Sequence, residues 1–304
     1  MIALNDDLQS ILDTLRNEIK EITPDLITLN LVTVLVTGFG EFGADVVRVL
    51  NDFYPPYYLY LIDATSINDL KSAIKKILIP KYAFLVFRLE SLDMLSTMEG
   101  LVRYLSNISD TAITMVSIPA EVSNEMDSTE IVARLKNLSA YSSIFLIEEI
   151  AISDNQLCMD PKYIAEDIVI ECIKTILYAT VITPSGSYFH CIDKFFAKKG
   201  IGLLNYFIVD LEEFENPEIA FMSFMKLPIK NIEQFRIYDA LLFCNFNAEE
   251  TTLEELSKIL SIITYISDKL DLCLPPLGNM YEKDLIGYIG IATFVLLENE
   301  SLTL

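Results

Sequence analysis

The residues best suited to chemistry form a glycine-rich segment, GFGEFG at 38–43, which follows an apolar run and opens a predicted helix. Glycines let the backbone turn tightly and approach a phosphate, and a helix N-terminus offers free N–H groups. Asp63 ends the next predicted strand, as in a dinucleotide-binding fingerprint with the acid on the ribose. We therefore predict a nucleotide site at Gly38, Gly40, Gly43 and Asp63. An NAD-type dehydrogenase, a nucleoside triphosphate protein and a turn that only packs helix on strand all stay open.

The only histidine, His190, bears on the dehydrogenase alternative. A dehydrogenase needs a proton-transfer group, commonly histidine, placed in a substrate domain. His190 lies in no recognisable dehydrogenase context, so this alternative ranks below the others. Metal binding by His190, Cys191 and Asp193 is not expected either, because neighbouring residues rarely converge on one ion.

The charge of the chain limits its partners. With 22 Lys and Arg against 44 Asp and Glu, the net charge is −22. Such a surface repels phosphate backbones and anionic lipid, so we expect no nucleic-acid partner and no membrane surface. The five cysteines are scattered and odd in number, which argues against a disulfide framework and a zinc site.

The N-terminus carries acids at positions 6 and 7 and lacks the basic and apolar regions of a signal peptide. The longest apolar stretches, 26–37 and 285–297, are shorter than the roughly 20 residues of a spanning helix. We therefore predict a cytoplasmic protein without direct membrane insertion.

The elements that must position these residues alternate between strand and helix in the first half. Continuous apolar strands separated by helices are typical of a parallel sheet covered on both faces. The predicted strands are 29–37, 57–62, 83–87, 112–118 and 143–147, and the predicted helices are 7–22, 44–53, 67–77, 92–105 and 130–138.

A long helical pattern at 162–178 separates this half from a region of different character. That region has an acidic loop at 210–218, a strand at 237–245, a helix at 252–269 and a strand at 289–296. We predict an α/β fold with a Rossmann-like parallel sheet, a long central helix and a smaller α+β C-terminal domain. The predicted boundaries are 1–160, with an N-terminal helix at 1–23, then 161–180 for the central helix, and 181–304.

In order and spacing, these segments resemble the tubulin/FtsZ superfamily over nearly the whole chain. The segments similar to family elements are GFGEFG at 38–43, YLIDA at 60–64, ITMVSIP at 113–119, YIAEDIV at 163–169, YDALLF at 238–243, TLEEL at 252–256, LGN at 277–279 and IGIAT at 289–293. The resemblance implies a GTPase-type domain that binds GTP or GDP, with Mg²⁺ if GTP is bound. It also implies that Asp167 is the acid that contacts the guanine base.

One departure from the family concerns its glycine- and threonine-rich phosphate loop. The corresponding segment, RLESLDMLST at 88–97, contains no glycine. Bulky side chains disfavour the left-handed conformations of such a loop, and Glu90 and Asp93 add negative charge. Arg88 or a bridging Mg²⁺ would offset part of that charge. The alternative is that Ser91 or Asp93 caps a helix in a pocket that no longer serves a triphosphate.

A second departure concerns the two catalytic acids that the family presents after its central helix. Aligned on Pro184, this chain offers Tyr188, His190 and Asp193. Asp193 keeps the second acid and His190 replaces the first. The resemblance therefore implies His190 and Asp193 as candidate catalytic residues.

These features favour a tubulin/FtsZ-like cytoskeletal or filament-associated protein with weak or absent GTPase activity. Its expected partner is another copy or a related tubulin/FtsZ-like protein, and a charge of −22 predicts that assembly needs salt or divalent cations. The alternatives are an active GTPase that polymerises in cell division or the cytoskeleton, a nucleotide-free regulator, and an NAD(P)-binding Rossmann enzyme. Because no tail follows the final strand, we expect no direct copy of the FtsZ division role.

Overall fold

The computed structural model describes residues 34–53, 59–64, 68, 71–72, 80–153, 159–182, 186–214, 216–225, 229, 236–247, 249–270, 277–278 and 285–298. The predicted helix at 7–22 lies outside these residues, as does most of the predicted helix at 67–77.

A single sheet organises the described chain, with strands in the order β2-β1-β3-β4-β5-β6-β9-β7-β8. The strands are β1 Val34–Phe39, β2 Leu59–Ala64, β3 Tyr82–Arg88, β4 Thr111–Ile118, β5 Ser143–Glu148, β6 Gly200–Asp210, β7 Ile237–Asn245, β8 Leu277–Gly278 and β9 Tyr288–Leu297.

Helices connect these strands and cover both faces of the sheet. They are α1 Gly40–Phe53, α2 Met94–Ile108, α3 Ala120–Glu125, α4 Ser128–Ser139, α5 Glu149–Ser153, α6 Pro161–Leu177, α7 Gly186–Phe196, α8 Pro217–Met225 and α9 Leu253–Leu270, and a π-helical turn, Tyr178–Ile182, follows α6.

The strand directions define two edges of the sheet. The six strands from β2 to β6 run parallel, so their C-terminal ends lie together at one edge, here called the carboxyl edge. Their starts lie at the opposite, amino edge. Because β9 pairs antiparallel with β6 and β7 antiparallel with β9, β9 ends and β7 begins at the amino edge.

The core lies on both faces of this sheet. Val34 and Val36 face the cluster that includes α1, α6 and α7, whereas Leu35 faces the cluster that includes α2, α4 and α9. Apolar side chains at successive positions of β1 are therefore buried on opposite sides. This explains why the strands have continuous apolar sequences, as expected for a parallel sheet between helices.

The α/β fold with its parallel sheet and long helix confirms the predicted fold class. The prediction missed β6 and the helices α3, α5, α7 and α8, and β6 is the informative omission. Gly200 and Gly202 suggest a turn in sequence, yet both belong to this 11-residue strand. A Cβ on Gly202 would lie 2.1 Å from the Val295 carbonyl oxygen, so the glycine permits close pairing with β9. The proposed domain boundaries stay a prediction.

Candidate functional site at the carboxyl edge

The glycine-rich segment forms an abrupt strand-to-helix turn. A Cβ on Gly38 would lie 2.1 Å from the carbonyl oxygen of Gly43, and one on Gly43 would lie 2.5 Å from that of Val86. These two glycines therefore have a packing role, because they allow α1 to lie directly against β1 and β3.

Gly40 has a different role in the same turn. Its φ is +72°, a conformation that other residues rarely adopt, and a Cβ there would meet no atom within 4 Å. The turn borders a cavity of about 240 Å³ that Arg88, Glu90 and Ser91 also line. Asp63 is exposed at the end of β2 and pairs in register with Gly38. The structure thus brings the predicted phosphate-loop residues and Asp63 to one edge.

Arg88 lies across this edge and is held by an internal acid. Its Nε and Nη2 donate hydrogen bonds of 2.7 Å to the two carboxylate oxygens of Glu149. Ser117 Oγ donates to Glu149 Oε1 at 2.8 Å, and Glu149 is 4% exposed. The hydrogen bonds to Glu149 raise the pKa of Arg88. A buried carboxylate thus binds the guanidinium where an external anion would otherwise have a partner.

The remaining charge around the cavity is negative. Glu90, Asp93 and Glu121 are exposed, and Glu121 reaches to 3.9 Å from Arg88 Nη2. Asp93 occupies the N-cap position of α2, but its side chain makes no capping hydrogen bond. The helix begins instead with a backbone hydrogen bond from Met94 N to Ser91 O of 3.2 Å. The predicted side-chain cap by Ser91 or Asp93 is therefore wrong, because the backbone of the preceding turn supplies the contact.

These residues do not fit a cradle for the β- and γ-phosphates. Such a cradle needs convergent backbone N–H groups, usually from glycines, or cations free to bind phosphate. The segment 88–97 offers no glycine, its arginine is paired with Glu149, and its acids repel phosphate. The Gly40 turn is the one feature of this cavity that suits a phosphate.

The start of α6 adds a second acidic group on the side of α1. Lys162 Nζ lies 3.4 Å from Glu41 and 3.8 Å from Glu166 Oε1. Glu166 is 7% exposed, and Oε1 has no hydrogen-bond partner among the described residues. Desolvation raises the pKa of Glu166 to about 7, although Lys162 opposes the shift. The predicted base-contacting residue, Asp167, is exposed one position further along the helix.

Sequence analysis missed Glu166 and Glu149 as residues of interest. Glu166 occupies one of the positions that α6 buries, whereas Asp167 lies between two buried neighbours and is itself exposed. A helical periodicity of the apolar residues around positions 165 and 169 could have identified it. Glu149 had no such signal, because its burial depends on Arg88 from a distant strand.

The two candidate catalytic residues lie on α7 instead of a loop. Asp193 Oδ2 accepts a hydrogen bond from Lys81 Nζ at 2.8 Å, and Oδ1 accepts one from Tyr82 OH at 2.5 Å. Burial and this contact raise the pKa of Tyr82. Tyr82 begins β3 and Lys81 directly precedes it, so Asp193 lies at the amino edge, opposite the Gly40 turn. A catalytic role for His190 and Asp193 therefore stays a prediction that requires a neighbouring subunit.

Metal-binding clusters and membrane-spanning helices are absent from the described residues. No group of three or more histidine, cysteine, aspartate or glutamate side chains in the described ranges could hold a metal ion. The helices within those same ranges are too short or too polar to cross a membrane.

Comparisons with known proteins identify the fold. No family model matches the sequence, and no curated protein is similar to it in sequence. Among solved structures, the FtsZ dimer of M. jannaschii aligns with a TM-score of 0.65 at 14% identity, covering 91% of each chain. GDP-bound CetZ1 from Haloferax volcanii aligns at 0.58 and 10% identity, covering 89% of this chain and 97% of that one. CetZ2 from the same organism, a GTPγS-bound protofilament, aligns at 0.55 and 12% identity, covering 88% and 93%. The chain therefore has a tubulin/FtsZ-like fold.

Proposed function

We propose that this chain is a tubulin/FtsZ-like cytoskeletal protein of the cytoplasm that self-associates head to tail with weak or absent GTPase activity. The fold it shares with FtsZ and CetZ supports the cytoskeletal assignment, and two of these neighbours are an FtsZ dimer and a CetZ2 protofilament. The NAD(P) enzyme alternative is set aside, because it leaves the C-terminal half unexplained, which these structures cover.

The observation that carries the loss of GTPase activity is the pairing of Arg88 with Glu149. Phosphoryl transfer depends on positioning and on neutralising the charge of the transferred group. Here the nearest guanidinium is already neutralised by a buried carboxylate. A phosphate that replaced Glu149 would leave that acid buried without its guanidinium, at a cost of several kcal/mol. Breaking this ion pair therefore disfavours triphosphate binding, and repulsion between the phosphates and Glu90 disfavours it further.

Head-to-tail assembly agrees with the geometry of the two edges. The carboxyl edge carries the Gly40 turn and the acids that precede α2, Glu90 and Asp93, whereas the amino edge carries Asp193 with Lys81. Two surfaces that differ in this way form a heterologous contact, which extends into a filament when the rotation does not close.

Guanine-nucleotide binding is the second candidate function, with GTP, GDP and Mg²⁺ as its ligands. The open Gly40 turn at the start of α1 favours it, because free N–H groups of a helix N-terminus attract phosphate. A protein with this function would bind nucleotide without a free arginine beside the phosphates, because Arg88 is paired with Glu149.

Sedimentation of the purified protein, with electron microscopy of the pellet and a phosphate-release assay, tests the proposal. Samples contain Mg²⁺ with GTP, with GDP or with no nucleotide. We expect filaments or oligomers in all three samples, and phosphate release at the background rate. A monomer under every condition would refute self-association, and GTP-dependent assembly with steady phosphate release would favour an active GTPase.

A further inference from the structure

A cleft at the amino edge concentrates positive charge on this acidic chain. It has a volume of about 600 Å³ and lies between the end of α7 and the ends of β6, β7 and β9 that meet at this edge. Lys198, Lys199 and Arg236 line it together with a single acid, Glu298. Three cations against one acid reverse the balance of the whole chain, whose net charge is −22.

The three basic side chains of this cleft differ in their interaction partners. Lys198 pairs with Asp239, and Lys199 Nζ donates to the carbonyl oxygen of Ala140 at 3.4 Å. In the part of the chain that the structure describes, the Arg236 guanidinium has no ion-pair partner, and Arg236 is exposed. The cleft therefore presents a cation that forms no ion pair with any described residue.

Apolar groups complete the cleft. The neighbouring Tyr238 is 61% exposed, and Lys198 Nζ lies 5.3 Å from the centre of its ring. Leu296 and Leu297 also line the cleft, and both are buried. Arginine and tyrosine beside an apolar base are the residues enriched at the centres of protein interfaces. The cleft thus suits a protein segment that carries carboxylates.

The opposite edge of the same chain offers a complementary surface. Glu90, Asp93 and Glu121 are exposed around the start of α2 and α3, and the Glu121 side chain is 81% exposed. The cation beside them, Arg88, is bound to buried Glu149. An acidic carboxyl edge and a basic cleft at the amino edge therefore face opposite directions along the strands.

We propose that this cleft docks the acidic surface of a second copy of the chain, formed by Glu90, Asp93 and Glu121. The inference rests on the proposed head-to-tail assembly and assigns the residues that form its contact. Opposite charges across the contact set the orientation of the two copies, because a contact between like edges would place like charges together.

Charge reversal tests this contact. Arg236→Glu leaves the cleft with two cations and two acids, and Glu90→Lys leaves the opposite surface with one cation and two acids. Each variant alone is expected to lose self-association by at least about tenfold in sedimentation velocity, because the charge attraction at its own contact is weakened. An equimolar mixture restores association between the two variants, because the Glu90→Lys copy keeps the basic cleft and the Arg236→Glu copy keeps the acidic surface.

Lys136→Glu serves as the matched control. It makes the same change in net charge at an exposed position on α4, outside the cleft, and should assemble like the unmodified chain. Thermal unfolding of each variant establishes that it remains folded.

The outcomes separate this inference from the proposed function. If the unmodified chain assembles and Arg236→Glu assembles equally well, the cleft is not the contact, although self-association stands. If the mixture of folded variants stays monomeric, the pairing of these two surfaces is wrong. A monomeric unmodified chain would overturn both proposals.

Discussion

The ion pair of Arg88 with Glu149 determines whether the carboxyl edge offers a cation that is free to bind an anion. They come from the ends of β3 and β5 and meet through two hydrogen bonds of 2.7 Å. Neither residue is informative in sequence, because the contact spans 61 positions. From the sequence, Arg88 is expected to offset part of the charge of Glu90 and Asp93, whereas in the structure it binds buried Glu149.

Arg88→Ala should lower the free energy of unfolding by about 2–4 kcal/mol, because it leaves Glu149 buried without its guanidinium. Denaturant unfolding measures the effect. Arg134→Ala is the matched control, since it breaks an exposed pair with Glu130 at 3.4 Å and should cost at most about 0.5 kcal/mol. Equal losses in the two variants would show that the Arg88 pair contributes no more than a surface contact.

Glu166 gives the fold a pH-dependent weakness. Burial raises the pKa of this carboxyl from its ordinary value of 4.5 to about 7. The folded state therefore disfavours the ionised form, so the resulting penalty is absent below pH 4.5, grows between these values and is complete above about pH 7.

Glu166→Gln should accordingly leave stability unchanged near pH 4.5 and raise it by about 1–2 kcal/mol near pH 8, an estimate reduced because solvent screens part of the penalty. Unfolding curves at both pH values measure this difference. Asp167→Asn on the exposed face of the same helix is the control and should show a smaller pH-dependent gain. If Glu166→Gln raised the free energy of unfolding equally at both pH values, the effect would not come from ionisation of Glu166.

At the scale of elements, the turn between β1 and α1 separates two uses of glycine. Gly43 permits close packing, whereas Gly40 permits a left-handed backbone. Gly43→Ala should destabilise the fold by more than about 3 kcal/mol, because its Cβ would overlap the backbone of β3. Gly40→Ala should cost about 1–2 kcal/mol, from φ strain alone. Thermal unfolding compares them, and a larger loss for Gly40→Ala would show that packing is not the stronger constraint.

Among the elements, the strands buried on both faces are those that the sequence predicts well. Apolar runs gave the positions of β3, β4, β5 and β7 to within a residue or two, because a strand buried on both faces has little choice of residue type. The strand β6 was missed, since its glycines are explained by a neighbouring backbone and not by a turn. The glycine turn was located correctly, but the ion pair of Arg88 beside the adjoining cavity depends on tertiary contacts that no local pattern encodes.

At the scale of the whole molecule, charge is both large and unevenly placed. A net charge of −22 repels other copies over a Debye length of about 30 Å at 0.01 M salt but only about 8 Å at 0.15 M. Contacts within the cleft act over shorter distances. Self-association should therefore strengthen between these two salt concentrations and weaken towards about 1 M, where salt also screens the contact. Sedimentation across this series of salt concentrations tests the prediction. A steady decline in self-association from the lowest salt concentration would show that repulsion from the net charge is unimportant.

The tubulin/FtsZ-like fold is kept, while the guanidinium that lines the cavity at the Gly40 turn is bound by a buried carboxylate. The most direct test is a calorimetric titration of the nucleotide-stripped protein with GTP and GDP, with and without Mg²⁺, using ATP and NADH as controls. We predict no guanine-selective binding in the micromolar range, since Arg88 is already paired with Glu149. Micromolar binding of GTP that depends on Mg²⁺ and excludes ATP would contradict the account and establish a working nucleotide site at the Gly40 turn.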